Sequence, residues 1–264
     1  MDNRPVSAAQ AGKEYRMGRI FGNDGKTVVL PLDHGSMIGR VSGLEDPIGA
    51  LDRFAATRCD GFLIGPGVAA HSVATFAHRG SPARLLTIDS YWNAGPDGAT
   101  AMIANLEQAA ALGVDAVKVL MPWNVPQPRR APLVSMISSV IAAAAPLGMP
   151  VMVEPIAFEM PRGPEAVAIE EHGCRVAMEL GADILKVAYP GDPGTLAAWC
   201  SELRVPVVML GGPKGGTTEE LLALVADAVK GGASGIVIGR RVWQRPLEEA
   251  AQLLGQLYEI VHGA

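Results

Sequence analysis

Gly181-Ala-Asp-Ile-Leu-Lys-Val-Ala-Tyr-Pro190 reads as a covered β-strand with a charge in its middle. Successive strand residues face opposite ways, so Lys186 shares a face with Ile184 and Ala188, while Leu185, Val187 and Tyr189 share the other. An ammonium in an apolar strand is costly unless it is paired or gives up its proton. The same pattern occurs once more in the chain. Gly113-Val-Asp-Ala-Val-Lys-Val-Leu-Met-Pro122 repeats Gly-x-Asp-x-x-Lys-Val, with a proline four residues past each lysine. Two strands thus carry a lysine, Lys118 and Lys186, at one step.

Apolar strands alternate with helical segments on both sides of these two. Thr27–Asp33, Gly61–Pro66, Arg84–Asp89, Ala116–Met121, Pro150–Pro155, the Lys186 run, Val207–Leu210 and Gly235–Ile238 read as strands. Helices are expected over Asp46–Arg58, Val68–His78, Thr100–Leu112, Ala131–Leu147, Pro164–Leu180, Pro193–Leu203, Thr218–Lys230 and Pro246–Val261. Continuous apolar strands between helices argue a parallel sheet covered by helices, and eight such units argue a closed (β/α)8 TIM barrel of the α/β class. An open doubly wound sheet would place G-x-G-x-x-G after its first strand, and that motif is absent there. Prolines at Pro47, Pro164, Pro193 and Pro246, and the cap Thr217 before Glu219 and Glu220, mark helix starts. No composition break divides the chain. The expected organisation is one domain over residues 1–264, with a short N-terminal arm over 1–11 and a short helix from Gly12 to Phe21.

In such a barrel, alternate strands fill one interior layer. Lys118 and Lys186 are therefore expected at similar height, facing the mouth. Other polar residues near the strand ends are Asp33 and His34 after the first strand, Asp89 after the third, and Glu154 on the fifth. A neutral lysine attacks a carbonyl, so Lys186 is expected to form a Schiff base with a ketose or other carbonyl substrate. Lys118 would tune its charge, and Glu154 and Asp33 would move protons. A structural ion-pair cluster of the same four groups is the alternative, though buried pairs stabilise weakly. The glycines Gly211, Gly212 and Gly239, with Lys214 and Arg240, suit a phosphate at the loops after strands seven and eight. His34 and Asp89 are further expected substrate contacts.

The 264 residues are 49% apolar and 19% charged, with a net charge of -5, which argues against nucleic acid or an anionic membrane as partner. No stretch approaching ~20 apolar residues stands out, and the N-terminus lacks a signal peptide's apolar core. Three scattered cysteines, Cys59, Cys174 and Cys200, fit a reducing cytoplasm. The five histidines form no ligand cluster, so no metal and no other cofactor is expected, and His71, His78, His172 and His262 read as ordinary surface residues.

Several of these segments resemble the class I, Schiff-base aldolases of the DhnA/FbaB and LacD-like barrel family. They are Gly25–Gly35 with Gly43-Leu-Glu45, Ala182-Asp-Ile-Leu-Lys186-Val, Gly211-Gly-Pro-Lys214 and Gly232–Trp243. The resemblance implies reversible retro-aldol cleavage of a phosphorylated ketose, a sugar or sulfosugar phosphate, to dihydroxyacetone phosphate and an aldehyde, by a homo-oligomer. It also holds an acyl-transferring thiolase and a transaldol synthase, and a barrel that only binds a sugar phosphate is a third reading. Archaeal members place a tyrosine before the Pro-Arg-Gly that follows strand five. Here Met160 precedes Pro161-Arg162-Gly163. Lys118 and Glu154-Pro155 instead resemble tagatose-bisphosphate and sulfofructose-phosphate aldolases, which assigns the acid/base role to Glu154 and argues against fructose 1,6-bisphosphate.

Overall fold

A computed structural model describes residues 6–92, 98–211 and 215–263. Its strands are β1 (Thr27–Pro31), β2 (Gly61–Ile64), β3 (Ala83–Thr87), β4 (Asp89–Trp92), β5 (Ala99–Met102), β6 (Ala116–Pro122), β7 (Val151–Ile156), β8 (Ile184–Val187), β9 (Val207–Leu210) and β10 (Gly235–Val237). Eight of them close a parallel barrel in the order β1-β10-β9-β8-β7-β6-β3-β2, and β4 and β5 form a separate antiparallel hairpin. The helices are α1 (Ala8–Ile20), α2 (Gly35–Ile38), α3 (Pro47–Phe54), α4 (Pro66–His71), α5 (Val73–Phe76), α6 (Leu106–Ala111), α7 (Gln127–Ala144), α8 (Pro164–Leu180), α9 (Pro193–Leu203), α10 (Thr218–Lys230), α11 (Arg240–Trp243) and α12 (Leu247–His262). The eightfold β/α reading of the sequence is the fold observed.

Alternation sorts the strand residues as the sequence predicts. Leu185 and Val187 pack outward into the large core under the helices, whereas Ile184 joins Met152, Ala116 and Val208 in a smaller core inside the barrel. That inner layer is the barrel floor. Ile20 and Phe21, at the end of α1, close it from below.

The repeated Gly-x-Asp-x-x-Lys-Val serves both ends of its strand. Gly113 and Gly181 adopt φ of +65° and +100°, which lets the preceding helix stop without a Cβ clash. Asp115 accepts the Arg84 backbone N–H at 2.8 Å and pairs with Arg19 of α1 at 2.8 Å. Asp183 accepts the Val151 N–H at 2.9 Å and pairs with Lys13 of α1 at 2.7 Å. Each aspartate thus binds the start of a neighbouring strand and holds α1 across the floor. The lysine three residues on reaches the layer above it.

The structure corrects the sequence reading in several places. Residues 1–11 are not all arm, because helix α1 begins at Ala8, capped by the Ser7 hydroxyl. The helix expected from Thr100 is strand β5 up to Met102, and α6 starts only at Leu106 under an Asn105–Gln108 capping box. Helix Val68–His78 divides into α4 and α5, and the fourth long helix starts at Gln127 rather than Ala131. Continued by a 3-10 turn to Leu147, that segment spans 21 residues, and an 18-residue window within it has a mean hydropathy of 1.4, enough to cross a membrane by length and composition. Here it lies on the barrel through Leu133, Ile137, Val140 and Ala144. His262 is no plain surface residue. Its two ring nitrogens reach Asp24 at 2.7 Å and Asp60 at 3.0 Å, and Tyr258 stacks on it.

The hairpin changes one edge of the barrel. Ile88 O accepts from Ile103 and Ala104 at the hairpin base, which diverts it from the neighbouring barrel strand. The Asp89 carboxylate takes its place and accepts the Leu120 N–H at 2.8 Å. The ladder between β3 and β6 is therefore completed by a side chain, and no buried N–H is left over at Leu120.

Candidate active site

Parallel pairing sets the height of the inner residues. Met152 lies beside Ile184, and Leu120 beside Glu154. Two residues beyond the floor residues Ala116, Met152 and Ile184 on their own strands stand Lys118, Glu154 and Lys186. All three side chains enter the barrel one layer above the apolar floor. Their relative exposures are only 4% for Lys118, 6% for Glu154 and 5% for Lys186. Glu154 Oε2 lies 3.0 Å from Lys186 Nζ and 3.0 Å from Lys118 Nζ. A single carboxylate oxygen therefore bridges the two lysine nitrogens.

Asp33 stands on the β1 side of the same cavity, and its Oδ2 accepts from the Thr87 hydroxyl at 2.6 Å. Burial pushes the Asp33 carboxyl up, but Lys118, His34 and Lys186 outweigh it and hold the group below its ordinary value. Glu154 behaves alike, with burial raising it and the two lysines bringing it below the usual range. Lys118 is the reciprocal case. Burial opposes its charge, yet Glu154, Asp89 and Asp33 together raise its pKa and keep it an ammonium.

His34 follows Asp33 with its Nδ1 3.6 Å from Asp33 Oδ1, beyond hydrogen-bond reach, and its ring edge-on to Trp243 at 5.3 Å. Burial lowers the His34 pKa, helped by Lys186 and Arg240 and opposed by Asp33, so a neutral imidazole faces the cavity. Trp243 is itself fixed by donating from Nε1 to Pro31 O at 3.1 Å.

Lys118, Glu154, Lys186, Asp33, Thr87 and His34 line a cavity of about 470 Å³ at the C-terminal ends of the strands, a volume suited to a small ligand. Gly211, Gly239, Arg240 and Arg241 form its wall at β9 and β10. Glycine is demanded there by packing: a Cβ on Gly211 would come within 2.6 Å of Ile238, and one on Gly239 within 2.9 Å of Pro31. Gly212 and Lys214, expected to share that wall, lie outside the described residues.

Two residues sit differently from expectation. Asp89 is not among the cavity-lining residues. Its Oδ2 serves Leu120, and its Oδ1 is buried without a partner. Burial raises its pKa to about 6 against the pull of Lys118. Met160 does not line the cavity either, whereas Phe158 and Glu159 just before it do. The sequence reading did not single out these two residues, nor Thr87. Thr87 was signalled by its place two residues past Leu85 on an inward face. Among the described residues, no group of three or more His, Cys, Asp or Glu side chains could hold a metal ion. What the site offers is a lysine amine beside a carboxylate, with a second lysine bound to that same carboxylate.

The family described as DeoC/LacD family aldolase matches residues 27–245, from the first barrel strand to just before the last helix. The chain belongs to this family of aldolases. Among curated relatives, a 2-amino-3,7-dideoxy-D-threo-hept-6-ulosonate synthase of Archaeoglobus fulgidus is 33% identical over 258 residues, covering 96% of this chain and 92% of the relative. A class 1 fructose-bisphosphate aldolase of Thermoproteus tenax is 30% identical over 263 residues, covering 93% of each. A solved archaeal fructose-1,6-bisphosphate aldolase, with its catalytic lysine covalently bound to the carbinolamine intermediate of the substrate, superposes with a TM-score of 0.77. It is 28% identical to this aldolase and covers 94% of it.

Proposed function

We propose that this aldolase cleaves a phosphorylated ketose reversibly through a Schiff base on Lys186, giving dihydroxyacetone phosphate and an aldehyde. The observation that carries the proposal is the buried Lys186 Nζ on the cavity wall, hydrogen-bonded to a carboxylate that also binds Lys118. The amine, once neutral, attacks the ketose carbonyl carbon. The carbinolamine oxygen leaves as water, and a protonated imine remains. Glu154, ionised in the free site, accepts the proton of the hydroxyl on the carbon beyond the bond that breaks. That carbon departs as an aldehyde, and the electron pair of the broken bond flows into the imine to give an enamine. Protonation of the enamine carbon and hydrolysis then release dihydroxyacetone phosphate and free Lys186. The Lys118 ammonium stabilises oxyanion character at Glu154 and at the carbinolamine. Asp33, lowered in pKa and tied to Thr87, is the second proton carrier, at the β1 wall.

The phosphate is assigned to the β9 and β10 wall, with Arg240 as its charge partner, Gly211 and Gly239 offering close approach, and Gly212 and Lys214 adding to it from the sequence pattern. His34, neutral and lining the cavity, is a hydrogen-bonding contact. Asp89 is withdrawn from substrate contact by its place behind the wall. The test is borohydride reduction in the presence of dihydroxyacetone phosphate, read by peptide mass spectrometry. An adduct on Lys186 is expected, and its absence across a panel of keto-phosphates overturns the covalent route.

A transaldol reading is favoured by the 33% identity to a synthase of a keto-sugar acid. There the same enamine would attack a second carbonyl compound in the synthetic direction. Product analysis with paired donors and acceptors separates it from simple cleavage.

A further inference from the structure

Charge is distributed unevenly around the cavity. Going round the barrel from β10 and β9 to β8 and β7, the wall carries first Arg240 and Arg241, then Lys186, then Glu154. With the phosphate at Arg240, the carbonyl carbon at Lys186 and the reacting hydroxyl at Glu154, as proposed above, the remaining carbons run toward β7 and β6. The wall met there is Leu120, Ile156 and Phe158, with the exposed residue Glu159 at the rim. Lys118 is the one described cavity-lining cation on that side, and it lies deep in the cavity, bonded to Glu154 at 3.0 Å.

Glu159 is held in this position. It has a φ of +54°, a left-handed conformation that non-glycine residues adopt only when their surroundings enforce it. Asn124 grips the preceding residue twice, accepting from the Phe158 N–H at 3.0 Å and donating to Phe158 O at 2.8 Å. Tyr91 packs edge-on against the Phe158 ring at 5.3 Å. On the chain side beyond, Arg162 is paired with the buried Glu170. A clamped loop thus places an acidic residue at the rim of the part of the cavity where a second phosphate would need a cation.

We infer that the aldehyde half of the substrate carries no phosphate: the cleaved ketose is a monophosphate, its aldehyde product is small and uncharged, and Glu159 is the specificity residue that turns away a second anion. This rests on the Schiff-base reading above. It departs from a bisphosphate, for which the far wall supplies like charge and apolar surface in place of a partner.

The test is the condensation of dihydroxyacetone phosphate with D-glyceraldehyde and with D-glyceraldehyde 3-phosphate, comparing kcat/KM for the two acceptors. The uncharged acceptor is expected to be preferred by about tenfold or more at low salt, because like charges at a cleft rim depress encounter as well as binding. The preference should narrow in about 1 M salt, where the screening length falls to about 3 Å. Glu159→Gln should cut the ratio severalfold by improving the phosphorylated acceptor, and Glu159→Lys should cut it further. Borohydride trapping of dihydroxyacetone phosphate on each variant reports that the fold and the lysine site are intact. An adduct on Lys186 together with equal or better use of the phosphorylated acceptor overturns this inference alone, as does a ratio unmoved in both Glu159 variants. Failure to trap any adduct on the wild-type enzyme overturns the Schiff-base reading and this one with it.

Discussion

Replacing Glu154 by Gln keeps the shape of the residue between the two lysines and removes its charge. The two contacts of 3.0 Å through one oxygen place the nitrogens no more than about 6 Å apart, where two unit charges repel by about 3 kcal/mol at an effective dielectric of ~20. The wild-type carboxylate more than cancels this, since it attracts both. Breaking a buried ion pair from one side costs about 3–5 kcal/mol, and Glu154→Gln should lose that much in denaturant unfolding at neutral pH. In catalysis the variant separates two steps. Attack by Lys186 needs no proton acceptor at the substrate hydroxyl, so borohydride trapping should persist. Cleavage needs one, so turnover should fall by about 10²–10⁴-fold. Wild-type turnover in the variant would refute a proton-moving role for Glu154. Wild-type stability would refute the idea that its charge holds the lysine pair together.

Three further outcomes follow from other parts of the molecule. Burial raises the Asp89 pKa to about 6, from an ordinary carboxylate value of about 4, so the native state binds more protons than the unfolded chain between those values. Its contribution is therefore full below about pH 4 and is lost as pH rises through about 6, by up to ~3 kcal/mol. Asp89→Asn keeps an acceptor for the Leu120 N–H, and its stability relative to wild type should rise across that window in urea titrations; a flat difference would contradict the assignment. Gly148→Ala would put a Cβ 2.3 Å from Ala9 O at a φ of +57°, so it should cost about 1–3 kcal/mol and free α1 for proteolysis, read by melting and limited digestion. His262→Ala removes the tie from α12 to both Asp24 and Asp60 and should lower stability by about 1–2 kcal/mol in thermal melts while leaving trapping at Lys186 intact.

The barrel and its central triad were legible for a local reason. A lysine or glutamate within an apolar strand contradicts its neighbours, and a period of two says which face it takes, so Lys118, Glu154 and Lys186 could be placed before any contact was known. The aspartates of the repeated motif carried no such signal. Asp115 and Asp183 act on Arg19 and Lys13, which lie 96 and 170 residues earlier in the chain. His262 looked ordinary for the same reason, its partners being 202 and 238 residues away. The hairpin was missed because Ala99-Thr-Ala-Met102 is compatible with a helix and becomes a strand through pairing with Asp89–Trp92. The Asn105–Gln108 box was the local sign that the helix begins later. Asp89 looked like a site residue by its position at a strand end. Its engagement with Leu120 depends on where Ile88 O is sent, and that is decided by the hairpin.

This use of Asp89 bears on how the barrel can be altered. In most β/α loops, lengthening or exchanging the connection leaves the strand ladder alone because the loop starts after the last paired residue. Here the inserted hairpin draws away a main-chain acceptor, and the carboxylate at its first position restores the seam. The hairpin and Asp89 therefore behave as one exchangeable cassette. A graft that carries its own acidic first residue should seat on the barrel rim, whereas one that leaves the acid behind would open the β3–β6 seam directly behind Lys118.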